Sequence, residues 1–552
     1  MMSFMVFWFN FFFFSLFMFL MSLFLYYYDL IFFLNWNMFN LNSMDFNMLI
    51  YIDWMSLMFL GVVMLIFSSV MFYSMEYMSG EIYISRFIYL LMLFVYSMFL
   101  MILSPSILTI IIGWDGLGLI SYCLIIYYQN ISSYNSGMLT ILCNRLGDIM
   151  LILSMVYMLF FGSWNLILYN DLSYDCMFML MICAMTKSAQ FPFMIWLPAA
   201  MAAPTPVSSL VHSSTLVTAG VYLMIRLIYF LDLMKLNNYL LMISSFTMFL
   251  SGVVANFEFD LKKIIALSTL SQLGLMMSIL SLGYSDLSFF HLLTHAMFKS
   301  LLFLCAGSMI HLLMNNQDIR FYGGIFKNLP FINSCMLISI SSLCGFPFFS
   351  GFYSKDLIME IFLMNYMNMI SLFLLLLSTI LTVSYNFRLI LYLNFKSYNM
   401  NMYMNLDENK NMCFSMIFLM IMSLIFGKLM IFMFFYNYEI ILSLMNKLLV
   451  MILCILGLMV GYFFYKFNFI NFKMLFFLSS MFYMIMFYKF VYIYFYEFSS
   501  NFMLVFEKNF IENKFSMMFV KIHLMFGLKN NKINFLNLLL LFYIYLMIFI
   551  LI

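Results

Sequence analysis

Residues 291–304 read HLLTHAMFKSLLFL, and this stretch decides how the rest of the chain is interpreted. His291, His295 and Lys299 are spaced four residues apart, so on a helix their side chains lie along one face. Nearly every other residue in the stretch is apolar, which predicts a buried helix. Three titratable side chains on one stripe of a buried helix therefore need an explanation in terms of function.

The composition of the whole chain indicates an integral membrane protein. Of its 552 residues, 66% are hydrophobic and only 8% are charged, whereas about 25% of the residues of a typical soluble domain are charged. The net charge of +2 excludes a strongly basic surface for nucleic acid. There is no CxxC pair and no glycine-rich phosphate-binding motif, so we expect no cofactor and no metal on this chain.

Apolar segments long enough to cross a membrane recur along the chain. A crossing helix needs about 20 apolar residues, which predicts an all-α polytopic membrane protein with about fifteen transmembrane helices. The polar interval 29–53 predicts a loop or short hairpin, and 396–412 predicts a surface loop. The first segment has no basic start and is interpreted as a span, not a cleaved signal. The predicted spans lie near residues 4–27, 54–74, 86–104, 106–128, 137–161, 175–200, 205–230, 238–257, 262–283, 287–313, 331–362, 366–394, 413–436, 447–466 and 534–552.

Two of these spans are interrupted by the motif Phe-Pro-Phe, at 191–193 and 346–348. Proline breaks a helix, and a broken helix at membrane depth is tolerated only where it is buried in protein or lines a hydrated cavity. The two breaks lie five spans apart. The sequence therefore predicts two five-helix repeats, residues 86–230 and 238–394, with inverted topology and two discontinuous helices.

Residues 480–532 predict a different element. Phe498, Phe502 and Phe506 begin a row of apolar residues at helical spacing, with charged residues between them. This pattern predicts an amphipathic helix that lies on lipid headgroups or on partner proteins, and the pattern alone leaves both open. The remaining predicted regions are N-terminal helices and a loop or hairpin at 1–85, transmembrane helices at 395–479 and a final anchor at 533–552.

Ionisable residues inside membrane spans are costly and are candidate functional groups. Arg145 and Asp148 are three residues apart, so a local ion pair and a proton-carrying role are both open. Lys262 and Lys263 lie near a span end, where we expect their ammonium groups to extend to the membrane surface. His212 lies in a hydroxyl-rich stretch that suits either tight helix packing or a hydrated path. The candidates are Asp115, Arg145, Asp148, Lys187, His212, Lys355 and Asp356, with His291, His295 and Lys299.

The stripe at His291, His295 and Lys299 has several possible roles. Two histidines four apart could bind a metal, but no third ligand lies near them in the sequence. Haem ligation needs histidines from facing helices, and no other histidine is obviously placed for it. Packing alone does not require three titratable groups in register. A proton relay does, because histidine titrates near neutral pH and burial disfavours the charged form of lysine.

Asp115 and Lys187 are predicted to form a switchable ion pair. Opposite charges about 4 Å apart interact by about 4 kcal/mol at an effective dielectric constant of about 20. Lys187 would therefore hold its proton beside the carboxylate and release it when the carboxylate moves away.

Several motifs carry a family resemblance. GWDGLGLISY at 113–122, NRLGD at 144–148, HLLTHAMFKSLLF at 291–303 and GFYSKD at 351–356 resemble the subunit 5 family of mitochondrial NADH:ubiquinone oxidoreductase, respiratory complex I. The same core is similar to Mrp-type cation/proton antiporter subunits. The resemblance implies the motif acid at Asp115, the first-half lysine at Lys187, the following histidine at His212, a central relay at His291, His295 and Lys299, and the terminal lysine at Lys355.

The resemblance further implies a proton-pumping subunit at the distal end of the membrane arm. The amphipathic segment would run along neighbouring subunits, and flavin and iron–sulfur clusters would lie on partner subunits. Two departures stand out: the family usually has Glu where Asp115 stands, and the N-terminus has one span fewer than the common plan.

The bias toward Phe, Met and Tyr, with 72, 62 and 38 copies, is interpreted as coding drift in an AT-rich organelle genome. This predicts a location in the mitochondrial inner membrane. Two rival interpretations remain open at this point. One is an Mrp-type sodium/proton antiporter subunit, and the other is a non-pumping anchor of the membrane arm.

Overall fold

A computed structural model of the chain describes residues 2–41, 44–166, 169, 172–365, 368–397, 407–434, 441–466 and 477–527. The chain divides into two compact units, Met1–Ser479 and Ser480–Ile552. The helices of the first unit are α1 Met2–Tyr27, α2 Trp54–Tyr77, α3 Ile84–Leu103, α4 Ile107–Ile125, α5 Ile131–Met158, α6 Tyr174–Lys187, α7 Trp196–Ala199, α8 Thr205–Arg226, α9 Ile228–Leu233, α10 Asn237–Phe257, α11 Leu261–Ser281, α12 Ser285–Leu312, α13 Ile325–Asn328, α14 Pro330–Cys344, α15 Ser350–Met364, α16 Met369–Phe395, α17 Lys410–Phe434 and α18 Leu444–Lys466.

Within the described residues, twelve of these helices are long and apolar enough to cross a membrane. The sequence predicted about fifteen spans. Two of the other three are the interrupted spans, whose halves are shorter helices: α6 with α7, and α14 with α15. The last predicted span, 534–552, lies outside the described residues.

The polar interval before α2 forms a β-hairpin, which is one of the two predicted alternatives. Strand β1 (Phe32–Leu41) pairs antiparallel with β2 (Met44–Ile52), with an irregularity in register between Asn37 and Phe39. The hairpin leads directly into α2, which begins at Trp54.

Asp53 joins the hairpin to two helices. Its carboxylate accepts a hydrogen bond from the backbone N–H of Ser56 at 2.8 Å, and the Ser56 hydroxyl accepts from the backbone N–H of Asp53 at 3.0 Å. This reciprocal cap satisfies two N–H groups at the start of α2. The same carboxylate receives two hydrogen bonds, of 2.5 and 2.7 Å, from the guanidinium of Arg226 at the end of α8.

The first predicted break follows α6, which ends at Lys187. The chain then makes short helical turns from Phe193 to Ala202 before α8 begins. Gly220 of α8 lies against the end of α6, where a Cβ atom would be 2.5 Å from the carbonyl oxygen of Ala184. Only glycine permits this approach, so α8 packs directly on the helix that ends at the break.

The second predicted break separates α14 from α15. Gly345 ends α14 in the left-handed conformation, with φ of 82°, which is the usual glycine role at a helix C-terminus. A Cβ atom at Gly351 would overlap the carbonyl oxygen of Ser342. The start of α15 therefore lies against the end of α14, and the two halves meet within the protein.

Helix α12 carries the stripe and is the central helix of the unit. It contacts α2, α8, α11, α14, α15 and α17. Its apolar membrane-length segment is fully buried within the protein. The stripe therefore faces other helices and not lipid.

The second unit contains α19 (Met484–Met503), a π-helical segment Leu504–Phe515 and α20 (Ser516–Gly527). Phe502 stacks on Phe498 and on Phe506, with ring centroids 6.4 and 4.6 Å apart, so the start of the apolar row lies on one helical face. The remainder of the predicted amphipathic segment, 528–532, and the predicted anchor lie outside the described residues.

Candidate functional site

The stripe on α12 is buried. The side chains of His291, His295 and Lys299 are at most 1% exposed. The two imidazole rings are 6.2 Å apart between centroids. The prediction that these groups share one buried helical face is confirmed, and their role stays a prediction.

His291 is held at both ring nitrogens. Nδ1 lies 2.9 Å from the Ser354 hydroxyl on α15, and Nε2 lies 3.1 Å from the side-chain amide oxygen of Gln272 on α11. A hydroxyl can donate or accept, and a glutamine amide can do either by turning over. Both neutral tautomers of His291 can therefore be hydrogen-bonded, so the ring can accept a proton at one nitrogen and release one at the other.

His295 has a different environment. Neither of its ring nitrogens has a hydrogen-bond partner among the described protein atoms. The Phe298 ring lies edge-on to the imidazole, with centroids 5.5 Å apart. Buried polar groups are nearly always hydrogen-bonded, so these nitrogens are available for bonds to water.

Lys299 points from α12 toward α11, where its ammonium donates a hydrogen bond to the Ser268 hydroxyl. No carboxylate in the described part of the chain forms an ion pair with it. Burying an ammonium without a carboxylate is costly. A purely structural role would not account for the cost of burying the Lys299 ammonium.

Lys355, the predicted terminal lysine, lies on α15 and donates a 2.8 Å hydrogen bond to the Thr382 hydroxyl of α16. One turn along α16, the buried Tyr385 hydroxyl lies 3.4 Å from the Ser271 hydroxyl of α11. The Ser271 hydroxyl donates a 2.9 Å hydrogen bond to the carbonyl oxygen of Ser268, whose side chain binds Lys299. Hydroxyl groups of α11 and α16 therefore lie between the two lysines.

Lys187 is fully buried against α4. Its ammonium donates a 3.3 Å hydrogen bond to the carbonyl oxygen of Trp114 and lies 5.3 Å from the centre of the Trp114 ring. One turn along α4, a Cβ atom at Gly118 would lie 3.2 Å from the ammonium nitrogen. Because Gly118 has no side chain, there is room beside α4 for the ammonium of Lys187.

The predicted direct ion pair between Asp115 and Lys187 is absent from the described structure. Asp115 instead lies 3.5 Å from the guanidinium of Arg145, which also lies 3.3 Å from Asp148. The reason is helical geometry: Trp114 faces Lys187, and the next residue points about 100° away around α4, toward α5.

The local ion pair between Arg145 and Asp148 is confirmed, and a proton-carrying role for Asp148 stays a prediction. The Asp115 side chain is 36% exposed and that of Asp148 is 8% exposed. The Arg145 guanidinium therefore bridges an outer and an inner carboxylate.

His212 lies in the π-helical turn Ser208–Thr215 of α8 and is fully buried. Its ring is 6.4 Å from that of Trp196. The indole N–H of Trp196 in turn donates to the carbonyl of Thr186 at 2.9 Å, one residue before Lys187. Like His295, His212 has no hydrogen-bond partner among the described atoms for either ring nitrogen.

The two lysines at the start of α11 differ. Lys263 pairs with Asp260 at 2.6 Å and its side chain is 46% exposed, as expected. For Lys262 the expectation was wrong: it is 6% exposed and donates a 3.2 Å hydrogen bond to the carbonyl oxygen of Ala203. Successive helical residues point about 100° apart, so one ammonium faces outward and the other faces inward.

Several uncharged polar residues around the stripe were not predicted from the sequence, because only ionisable residues were taken as candidates. The available signal was hydroxyl and amide side chains recurring one turn apart inside apolar spans. The missed residues are Ser268, Gln272, Ser354, Thr382 and Tyr385.

In the part of the chain that the structure describes, no group of three or more His, Cys, Asp or Glu could hold a metal ion.

Three family models match the chain. Residues 36–88 match "NADH-Ubiquinone oxidoreductase (complex I), chain 5 N-terminus". Residues 104–383 match "NADH:quinone oxidoreductase/Mrp antiporter, TM". Residues 385–552 match "NADH dehydrogenase subunit 5 C-terminus".

Individual relatives agree with these matches. The chain is 54% identical to NADH-ubiquinone oxidoreductase chain 5 of Aedes aegypti over 449 residues, which are 80% of this chain and 77% of the relative. It is 52% identical to the Locusta migratoria protein of the same name over 471 residues, 81% of each chain.

A solved structure of an Mrp complex from Dietzia sp. has a similar fold, with a TM-score of 0.70 at 20% identity. The similarity covers 82% of this chain and 52% of the other, about half its length. At this identity, the likeness concerns the fold alone. The family matches and the insect relatives establish the family: the chain belongs to the NADH-ubiquinone oxidoreductase chain 5 family.

Proposed function

We propose that this chain is a proton-translocating core membrane subunit of respiratory complex I. It takes part in the NADH:ubiquinone reductase reaction as a membrane subunit, while electron transfer takes place on other subunits. The observation that carries the proposal is the buried stripe on α12, where His291 has partners that can donate or accept at both nitrogens. Family membership supports the same conclusion.

The central relay runs along α12. His291 accepts a proton at one ring nitrogen and releases the proton held at the other, and water bonded to His295 carries the released proton along the same face. Lys299 accepts and releases the proton beside the Ser268 hydroxyl. The hydroxyl groups near Tyr385 continue the path toward Lys355.

The first half of the chain supplies a switchable charge cluster. Arg145 holds Asp115 and Asp148, while Lys187 rests on a tryptophan carbonyl. A shift of the guanidinium away from a carboxylate leaves that carboxylate to stabilise the protonated form of Lys187. An interaction of about 4 kcal/mol at about 4 Å is enough to change which group holds a proton. The cluster, and not Asp115 alone, is thus the proposed switch.

The architecture that we propose includes two inverted five-helix repeats, each with one broken helix. The amphipathic segment would contact other membrane-arm subunits, and lipid would surround the remaining surface. We place the chain in the mitochondrial inner membrane as a multi-pass product of the organelle genome. Flavin and iron–sulfur clusters would belong to partner subunits, with none on this chain.

An Mrp-type sodium/proton antiporter is the main rival. Against it stands the match of residues 385–552 to a model specific for subunit 5.

The test is to purify the intact chain under mild conditions and to measure NADH-driven proton transport after reconstitution. Co-purification with flavin and iron–sulfur subunits, with redox-driven pumping, is expected. A chain that purifies without them and exchanges sodium for protons would overturn the proposal.

A further inference from the structure

Lys262 makes a contact that joins two parts of the proposed proton path. Its ammonium is buried at the start of α11 and donates a 3.2 Å hydrogen bond to the carbonyl oxygen of Ala203. Ala203 is extended, with φ of −65° and ψ of 159°, between the short turns after the first break and the start of α8. Its carbonyl therefore lies outside any helix and needs a donor from elsewhere.

The helices on either side of this contact hold separate parts of the candidate site. On α8, the chain that leaves Ala203 carries His212. On α11, the chain that leaves Lys262 carries Ser268 and Gln272, the partners of Lys299 and His291. A change in the distance between Lys262 and Ala203 would therefore move one set of proton-carrying groups relative to the other.

The charges around Lys262 indicate that its hydrogen bond to Ala203 holds the two segments in place and does not neutralise a carboxylate. Among the described residues no carboxylate forms an ion pair with Lys262, whereas the adjacent Lys263 pairs with Asp260. Loss of the Lys262 ammonium would leave a buried carbonyl without a donor, and would leave no acid unpaired.

We infer that Lys262 is a positioning residue for proton transfer, which fixes the junction after the first broken helix to the helix that holds the central relay. The inference rests on the proposed function. An arginine at this position keeps a positively charged N–H donor but does not release its proton in a protein. Arginine therefore separates positioning from proton carriage by the lysine itself.

The test compares Lys262→Met, Lys262→Arg and the control Lys263→Met in assembled complex I. We expect Lys262→Met to pump about tenfold more slowly, since small misplacements of reacting groups have effects of this size or larger. Lys262→Arg should recover most of the rate, and Lys263→Met should resemble the native enzyme. Equal rates for Lys262→Met and the control would overturn the inference, and so would an arginine variant as slow as the methionine variant.

A second measurement applies if the methionine variant fails to assemble. Lys262→Gln keeps an N–H donor on a shorter side chain, and hydrogen exchange of backbone amides 205–215 in the assembled enzyme should be faster than in the native enzyme. Unchanged exchange would contradict the positioning role. Lys299→Met is measured in parallel: normal pumping there overturns the proposed function, whereas impaired pumping there with normal Lys262 variants overturns only this inference.

Discussion

The Nδ1 atom of His291 lies 2.9 Å from the hydroxyl oxygen of Ser354, the residue immediately before Lys355. This contact joins the central helix to the second half of the second broken helix. The break therefore brings the start of the stripe next to the region of the terminal lysine.

Removing the Ser354 hydroxyl should weaken proton transfer at His291. Ser354→Ala leaves Nδ1 without this partner, a loss of about 1–2 kcal/mol, or about tenfold in rate. Ser350→Ala is the matched control, because its buried hydroxyl on the same helix has no hydrogen-bond partner among the described atoms. Pumping rates in reconstituted enzyme provide the measurement. Equal rates for the two variants would show that this hydroxyl takes no part.

The charge cluster of the first half should depend on the carboxylate at Asp115. Asp115→Asn removes one of the two acids on Arg145 and should impair pumping. Asp115→Glu keeps the charge, restores the acid usual in the family and should be tolerated. Lys187→Met should be impaired as well. Redox-driven pumping by the three assembled variants is the measurement, and a normally pumping Asp115→Asn variant would make the cluster structural.

How much of this site could be predicted from sequence depends on the kind of signal. The stripe was predictable because spacing along one helix fixes which side chains share a face, and the breaks were predictable because proline interrupts a helix. The pairing of Asp115 with Arg145 could not be predicted from the sequence, because it depends on how α4 is rotated against α5. Hydrophobicity is high all around these helices, so their rotation leaves little trace in the sequence.

The burial of Lys262 and the exposure of Lys263 likewise depend on how one helix is rotated against its neighbours. Both lie at a span end, and end position alone predicts that both reach the surface. Which one turns inward depends on the carbonyl that the first break leaves at Ala203. Contacts of this kind appear only when the two helices are placed together.

The ion pair between Asp53 and Arg226 should stabilise the first unit. Burial raises the pKa of Asp53, but hydrogen bonds and charge from Arg226 outweigh it and hold that pKa below its ordinary value. Its contribution is therefore complete above about pH 4 and is lost as pH falls through the lower folded-state pKa. Arg226→Met should cost about 3 kcal/mol, since it leaves a buried carboxylate unpaired.

The measurement is the Tm of the purified complex from neutral pH to below pH 4, where the contribution of the pair is lost. We expect Arg226→Met to lower the Tm at neutral pH, and the exposed Arg86→Met to leave it unchanged. An equal Tm for both variants would mean that the buried pair adds no stability.

The segment after residue 479 should brace the membrane arm. Truncation there removes the apolar row that begins at Phe498. The proposed contacts of this row with neighbouring membrane-arm subunits would then be lost. Native gels should then show a complex that lacks its distal membrane module, with the full-length chain as the control. A fully assembled enzyme after truncation would exclude a bracing role.

The most direct test of the relay on α12 is the number of protons pumped per electron by assembled Lys299→Met enzyme. Methionine is apolar and only one heavy atom shorter than lysine, so it suits the buried position but cannot carry a proton. The exposed Lys327→Met serves as the control for loss of a lysine. The relay predicts an assembled complex with a lowered proton-to-electron ratio for Lys299→Met and a native ratio for the control. A native ratio in assembled Lys299→Met enzyme would contradict the relay.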